Sequence, residues 1–218
     1  MTRPLLLDLF CCEGGAATGY HRAGFDVIGV DIDPQPNYPF PFVQADALNP
    51  PFDLTRFDAI HASPPCQAYS TITADQSRHP RLIGPIRDLL RSTGLPYVIE
   101  NVEGARLELD HPVRLCGSGF GLRVRRHRYF ETNWTLWGMP CVHGGQGRPT
   151  GVYGYPQNHE YLRPDGTHRG AKATSIDDAR DAMGMPWASW NGCTQAIPPA
   201  YTEHIGRQLL EHIGEVAA

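Results

Sequence analysis

Short apolar runs, each closed by an acid or a turn, recur through the first 131 positions, with helical spacing between them. Leu5 to Phe10 is the first run, and Cys11-Cys12-Glu13-Gly14-Gly15-Ala16-Ala17 then opens a helical pattern that reaches Ala23-Gly24: strand, glycine turn, helix. Phe25 to Val30 is a second run, ended by Asp31, and Phe42-Val43-Gln44 is a short third strand before Ala45-Asp46-Ala47. Phe57 to Ile60 and Tyr97 to Ile99 complete the set. Runs without alternation fit strands buried on both faces, as in a parallel sheet. Between the last two, Leu82, Ile83, Ile86, Leu89 and Leu90 recur at helical spacing with Arg87 and Arg91 on the other face, which predicts a crossover helix ending at Gly94.

The second half changes character. Val113 to Gly117 and Arg126 to Glu131 predict a strand pair joined by a glycine-rich turn, in which alternation sends Arg126 and Arg128 to one face. From Thr132 to Ala173 neither period is sustained, which predicts an irregular lobe. It holds Trp134, Trp137, Tyr153, Tyr155, Tyr161, Arg148, Arg163 and Arg169, a mix that suits stacking on unpaired bases and equally a small core of its own. Ser175 to Met183 reads as a helix capped by Ser175 with Asp177 and Asp178 in its first turn, Trp187 to Pro199 as a loop, and Tyr201 to Gly214 as an amphipathic closing helix. The expected division is 1–131 as the main domain, 132–173 as the lobe and 174–218 as a segment returning to the main domain.

With 218 residues, the chain suits one α/β domain with a small appended lobe. Six cysteines lack the density of a disulfide scaffold, and Met1-Thr2-Arg3-Pro4 runs directly into a strand, so a reducing, cytoplasmic setting is expected. No apolar run has the length of a membrane span, and the mean hydropathy of -0.36 agrees. A net charge of -4 argues against a broadly basic surface, so any nucleic-acid contact falls to local clusters, of which Arg123 to Arg128 is one.

The stretch Ser63-Pro64-Pro65-Cys66-Gln67-Ala68-Tyr69-Ser70 presents a cysteine on a stiff turn just beyond a strand, where an open parallel sheet binds its ligands. A buried structural cysteine is the competing reading. Glu100, at the next strand end, is a hydrogen-bonding or acid/base candidate, and the polar segment Ala68 to His79 is a candidate lid. Gly14 and Gly15 would let the backbone approach a ligand, and Asp31 follows at close to the ~20 residues at which an acid commonly bonds ribose. Cys116, Cys141 and His143 invite zinc, but Cys141-x-His143 is not a standard ligand spacing and no fourth ligand stands out, so no metal is assigned.

These segments together resemble the DNA cytosine-5 methyltransferases over most of the chain and in the family's order. Pro64-Pro65-Cys66-Gln67 followed by Glu100-Asn101-Val102 is the most specific part. Asp8-Leu9-Phe10 with Gly14-Gly15 is similar to the first motif, Arg126-His127-Arg128 to the Arg-x-Arg motif, and Gln195-Ala196-Ile197-Pro198-Pro199 to the last; Ala182 to Pro186 resembles the stretch before it. Cys12 stands where the family has glycine, Val124 where it has glutamine and Gln195 where it has asparagine. The segment in the place of the target-recognition lobe is short.

The resemblance implies a Rossmann-like, class I methyltransferase fold with a mostly parallel sheet and a small irregular recognition lobe. It implies S-adenosyl-L-methionine as cofactor, leaving as S-adenosyl-L-homocysteine, held by Phe10, Gly14, Gly15, Asp31, Ile32, Asp46, Ala47, Pro65, Gln195 and Ala196. Catalysis would fall to Cys66, Glu100, Arg126 and Arg128. Cys66 adds to C6 of a flipped cytosine, Glu100 holds its N3 and N4 edge, Arg126 bonds O2, and Arg78, Arg123 and Arg125 meet phosphates. The expected partner is DNA, duplex or single-stranded, bound by a monomer or homodimer of phage-like or orphan type. RNA or a free cytosine nucleotide as substrate, or a non-catalytic cofactor- or DNA-binding protein, are the alternatives.

Overall fold

Leu5–Leu9 forms β1 inside a seven-stranded sheet, and the strands on either side of it run parallel to it. The computed structural model describes residues 2–71, 73–154 and 171–216. The glycine turn leads into α1 (Gly15–Ala23), then come β2 (Asp26–Asp31), β3 (Phe42–Gln44), β4 (Ala59–Ala62), α2 (Ile83–Thr93) and β5 (Tyr97–Asn101). β6 (Val113–Leu115) and β7 (Arg128–Thr132) follow, in the sheet order β3-β2-β1-β4-β5-β7-β6. β7 is antiparallel to both β5 and β6.

Strand order reverses between β1 and β4, so the crevice at their carboxyl ends is where such a sheet binds ligands. The antiparallel β7 begins at that same edge, because Asn101, the last residue of β5, pairs with Tyr129, next to the first residue of β7. This is why an arginine pair at the start of β7 arrives beside a cysteine beyond β4. β4 and β5 are buried along their whole length, which is the physical content of their unalternating apolar sequence.

The chain closes with β8 (Thr150–Gly151), β9 (Ala171–Lys172), α3 (Ile176–Met183), α4 (Trp190–Gln195) and α5 (Pro199–Val216). The stretch expected as a loop before the last helix contains α4, whose Ser189 cap accepts from the Gly192 amide. Its six residues are too few and too polar to show a helical period. Arg87 also departs from expectation. It turns inward to Glu131, with Nε–Oε1 at 2.7 Å and Nη2–Oε2 at 2.6 Å, on a carboxylate that also accepts from the Asp110 amide.

The described part of the expected lobe does not stand apart. Trp134 and Leu136 join the core under α5, while Val152 and Ala173 pack with α3 and α4. Trp134 is buried and stacks on His212, whereas Trp137 is 73% exposed. Tyr155, Tyr161, Arg163 and Arg169 lie outside the described residues. No helix among the described residues is long and apolar enough to cross a membrane.

Candidate active site

The loop that carries Cys66 is anchored at three points. At its root, the buried His61 stands between Tyr20 and Ser63, with Nδ1 2.9 Å from the tyrosine oxygen and Nε2 2.7 Å from the serine oxygen. Burial lowers the imidazole pKa to about 3, so the ring is neutral. Asn101 Nδ2 donates to the Pro64 carbonyl at 2.9 Å, which ties the end of β5 to the Pro-Pro turn. Beyond Cys66 the chain turns sharply, and the Cys66 carbonyl accepts from the amides of Tyr69 and Ser70, both at 2.9 Å. A Cβ on Gly104 would lie 2.0 Å from the Tyr69 carbonyl oxygen, so only glycine lets the following 3-10 turn close on this loop. The expected lid therefore begins as packed structure, with Ala68 and Tyr69 buried.

Cys66, Arg126 and Arg128 line one cleft of about 540 Å³, with Thr194 and Tyr153 among the residues across it. Glu100 is buried behind Arg128, whose Nε lies 2.9 Å from Glu100 Oε1 as an ion pair. The contact lacks hydrogen-bond alignment, so that oxygen keeps its bonding capacity for another donor. Burial raises the Glu100 pKa, with Arg128 and then Arg126 pulling it back. The Cys66 thiol is also pushed up, first by burial and then by the Glu100 charge, against the opposing pull of Arg128 and Arg126. It rests as a thiol.

The two arginines are not equivalent. Arg126 Nε, Nη1 and Nη2 donate to the carbonyls of Ala196, Val152 and Thr194 at 2.8, 3.2 and 2.5 Å, so its guanidinium is committed to the main chain. Burial and then Arg128 lower its pKa to about 9, which leaves it charged at neutral pH. Among the arginines expected at phosphates, Arg123 is paired with Asp178 and Asp181, Arg125 bonds Gln146, and the exposed Arg78 pairs with Asp75 at 3.0 Å.

The chain just beyond β1, β2 and β3 carries most of the other sequence-predicted residues. Phe10 and Cys12 both take positive φ, 58° and 45°, and Arg126 does the same at 37°. Backbone strain of this kind gathers where a site over-determines its geometry. Asp31 closes the turn, accepting from the Cys12 amide at 2.9 Å and the Asp33 amide at 3.1 Å. Ile32 next to it is 66% exposed. Asp46 is exposed and accepts from the Leu48 amide at 2.9 Å, while Ala47 is buried. Pro65 is half-buried, Gln195 is exposed and Ala196 is buried.

The glycines act differently from expectation. Cβ atoms on Gly14 and Gly15 would strike Pro39 Cδ at 2.8 Å and the Ile197 carbonyl oxygen at 2.4 Å, so the close approach they allow is to the protein's own chain. Glu13 went unpredicted: its carboxylate accepts from the Ser189 amide at 2.7 Å and the Ser189 hydroxyl at 2.5 Å, joining the glycine turn to the cap of α4. Ile32 and Asp46 are exposed and Asp31 is buried near the carboxyl ends of parallel strands, the region where such a sheet binds its ligands.

An open sheet of this order with the antiparallel β7 is the Rossmann-like α/β fold of the S-adenosylmethionine-dependent methyltransferases. In overall structure it is similar to a protein assigned to the DNA modification methyltransferases and encoded within a prophage of E. coli. The identity is 16%, the match covers 97% of this chain and 99% of that one, and the TM-score is 0.64. S. pombe Dnmt2 methyltransferase matches with 14% identity, the same coverage and a TM-score of 0.61. In sequence, the chain is 32% identical over 245 residues to the type II methyltransferase M.XorII of Xanthomonas oryzae pv. oryzae. That match takes in 94% of this chain and 54% of the relative, so the chain spans about half the length of the curated relative. No family model matches the chain. These likenesses, to a type II methyltransferase in sequence and to two methyltransferases in fold, agree with the resemblance of the motifs to the DNA cytosine-5 methyltransferases.

Proposed function

We propose that the chain methylates C5 of cytosine in DNA through a covalent adduct between Cys66 and C6 of a flipped base. The supporting observation is that Cys66, Arg126 and Arg128 line one cleft, with the buried Glu100 paired to Arg128. C5 is a poor nucleophile until C6 is attacked; Cys66 Sγ would form that bond with its proton passing to solvent, and after methyl transfer loss of the C5 proton to water would expel the thiolate and restore the ring. Glu100, with its oxygen not aligned to any donor, bonds the N3 and N4 edge and keeps N3 protonated as the ring becomes an enamine. Arg128 lines the cleft with Nε on Glu100 and Nη1 on the His127 carbonyl, and it would take the base at O2, the role expected of Arg126, whose Nε, Nη1 and Nη2 all donate to carbonyls. Both contacts strengthen as charge develops on the ring, which is where catalytic stabilisation acts.

S-adenosylmethionine, when bound, supplies the electrophilic methyl group. Asp31 and Asp46 would bond its ribose and adenine, and Ile32 and Phe10 would cover its apolar faces. The small lobe and the net charge of -4 favour a second reading with RNA or an unpaired substrate. Tritiated methyl incorporation on duplex DNA, single-stranded DNA, RNA and dCMP, side by side, decides between them. The leading reading expects label in DNA, chased by bisulfite sequencing to cytosine C5, and no label in DNA overturns it.

A further inference from the structure

Cys116, His127, Cys141 and His143 come from three separate segments, yet their ligand atoms all lie within 4.8 Å of one another. His127 Nε2 is 3.3 Å from His143 Nε2, Cys116 Sγ is 3.3 Å from His143 Nε2, and Cys141 Sγ is 3.6 Å from His127 Nε2. A tetrahedral zinc ion with usual Zn–N and Zn–S bonds sets N···N edges of about 3.3 Å and S···N edges of about 3.5 Å. These three of the six edges lie close to those lengths. We infer that the four side chains form a structural zinc site, Cys₂His₂, on the sheet side of the lobe.

The chemistry of the set supports zinc. Two imidazole nitrogens pointed at each other across 3.3 Å, each also facing a sulfur, leave few protons to share, whereas one cation satisfies all four atoms at once. Two thiolates and two neutral imidazoles neutralise a divalent ion, and four protein ligands leave no open position, the pattern of a structural site. The surroundings hold the ligands. Ser118 Oγ lies 3.1 Å from Cys116 Sγ and accepts from the Val142 amide at 3.0 Å, so one hydroxyl links the ligand after β6 to the loop carrying Cys141 and His143. The His127 and His143 rings stack with centroids 5.3 Å apart at 22°.

The position gives the ion a task. His127 is the residue between Arg126 and Arg128, so fixing its imidazole fixes the strained backbone from which both guanidiniums leave. The ion would also clip 141–143, at the start of the short lobe, onto the β6–β7 hairpin. The first of these tasks rests on the reading of Arg128 as base-facing, while the site itself does not.

Zinc content of the full chain, purified without chelator or affinity-tag metal, is the test, read by inductively coupled plasma mass spectrometry alongside visible spectra after exchange with Co²⁺. The expected result is about one zinc per chain and the intense visible bands of tetrahedral thiolate-bound Co²⁺. Cys141→Ser and His143→Ala, both at partly exposed positions, should each drop zinc to about a tenth or less, and Cys66→Ser should retain it. Chelator should lower the melting temperature of the unmodified chain and leave Cys141→Ser unmoved. Less than about a tenth of an equivalent of zinc in the unmodified folded chain, even after Zn²⁺ is added back, overturns the site. So does zinc that persists in both ligand variants. Metal content is read without methyl transfer, so a failed methylation assay would not bear on it.

Discussion

Asn101 Nδ2 donates to the Pro64 carbonyl across 2.9 Å, and its Oδ1 accepts from the Val102 amide at the same distance. One side chain thereby fixes the end of β5, with Glu100, against the turn that carries Cys66. Asn101→Ala leaves a buried carbonyl without a partner, so a loss of about 1–3 kcal/mol is expected in denaturant unfolding. Methyl transfer should fall further than cofactor affinity, since the bond spaces the two groups that the proposed mechanism brings to the base. A variant that keeps full stability and turnover would remove this positioning role.

Cys66 and Glu100 are electrostatically opposed, because the glutamate charge raises the thiol pKa. A raised thiol pKa means less thiolate at neutral pH, so alkylation by iodoacetamide should be slow at pH 7 and climb above the ordinary thiol range. Glu100→Gln removes the opposing charge and leaves Arg128 and Arg126 in place, so the alkylation curve should move to lower pH. About threefold faster labelling at pH 7 corresponds to half a pKa unit. The same variant should lose methyl transfer. Labelling that is unchanged or slower would mean that burial alone sets the thiol. Cys66→Ala should abolish turnover outright, and 5-fluorocytosine in the target should trap the unmodified enzyme as a denaturation-resistant adduct.

The arginines separate stability from chemistry. Arg126→Ala strands three carbonyls around the last motif and should cost at least ~3 kcal/mol in unfolding, with weaker cofactor binding as 194–196 loosens. Arg128→Ala should lower kcat by roughly 10²-fold or more with cofactor affinity within a few fold, the scale of losing one donor to developing charge. Equal effects of the two on kcat and on stability would erase the distinction.

What the sequence reveals here follows from how local each feature is. The buried strands are legible because burial on both faces leaves a continuous apolar run, and Glu100 and Cys66 are legible because each sits where such a run ends. The role of Arg126 is not, because its acceptors are main-chain atoms of residues 152, 194 and 196, which any sequence would supply. The link from Glu13 to Ser189 leaves no local signal, since neither residue is part of a period. His127 reads as a spacer in Arg-x-Arg until the fold brings Cys116, Cys141 and His143 to it. Cys12 at φ 45° shows the converse, a side chain in a backbone region glycine prefers, at the place where the resembled family has glycine. It meets the exposed Gln195, Sγ to Oε1 at 3.7 Å, so two of the departures from the family touch each other.

Asp31 offers a test of the cofactor crevice. Asp31→Ala should weaken S-adenosylmethionine binding by ~1–2 kcal/mol in calorimetry, through lost bonds to ribose hydroxyls. Because Asp31 also accepts from the Cys12 and Asp33 amides, Asp31→Asn is the useful companion. Asn keeps an acceptor for one amide, so a loss as large as that of alanine locates the effect at the ligand, and unchanged affinity in both makes Asp31 a turn residue only.

Selectivity should be short. A full recognition lobe reads several base pairs through groove contacts of ~1–3 kcal/mol each. Here the described part of that segment is largely used in packing: Trp134 and Leu136 lie in the core, and Val152 packs against α3 and α4. The exposed aromatics left at this face are few. Trp137 is at the surface beside α5, and Tyr153 lines the cleft with Lys172 Nζ 4.7 Å from its ring centroid. An aromatic beside a cation suits stacking on an unpaired base. Methylation is therefore expected in a context of two or three bases, or on single-stranded DNA, unless a second subunit adds contacts. Tyr153→Ala should cut activity on single-stranded DNA roughly tenfold, about the stacking energy of one base. Bisulfite maps showing a strict site of four or more base pairs, methylated on duplex DNA by a monomer, would refute this reading of the lobe.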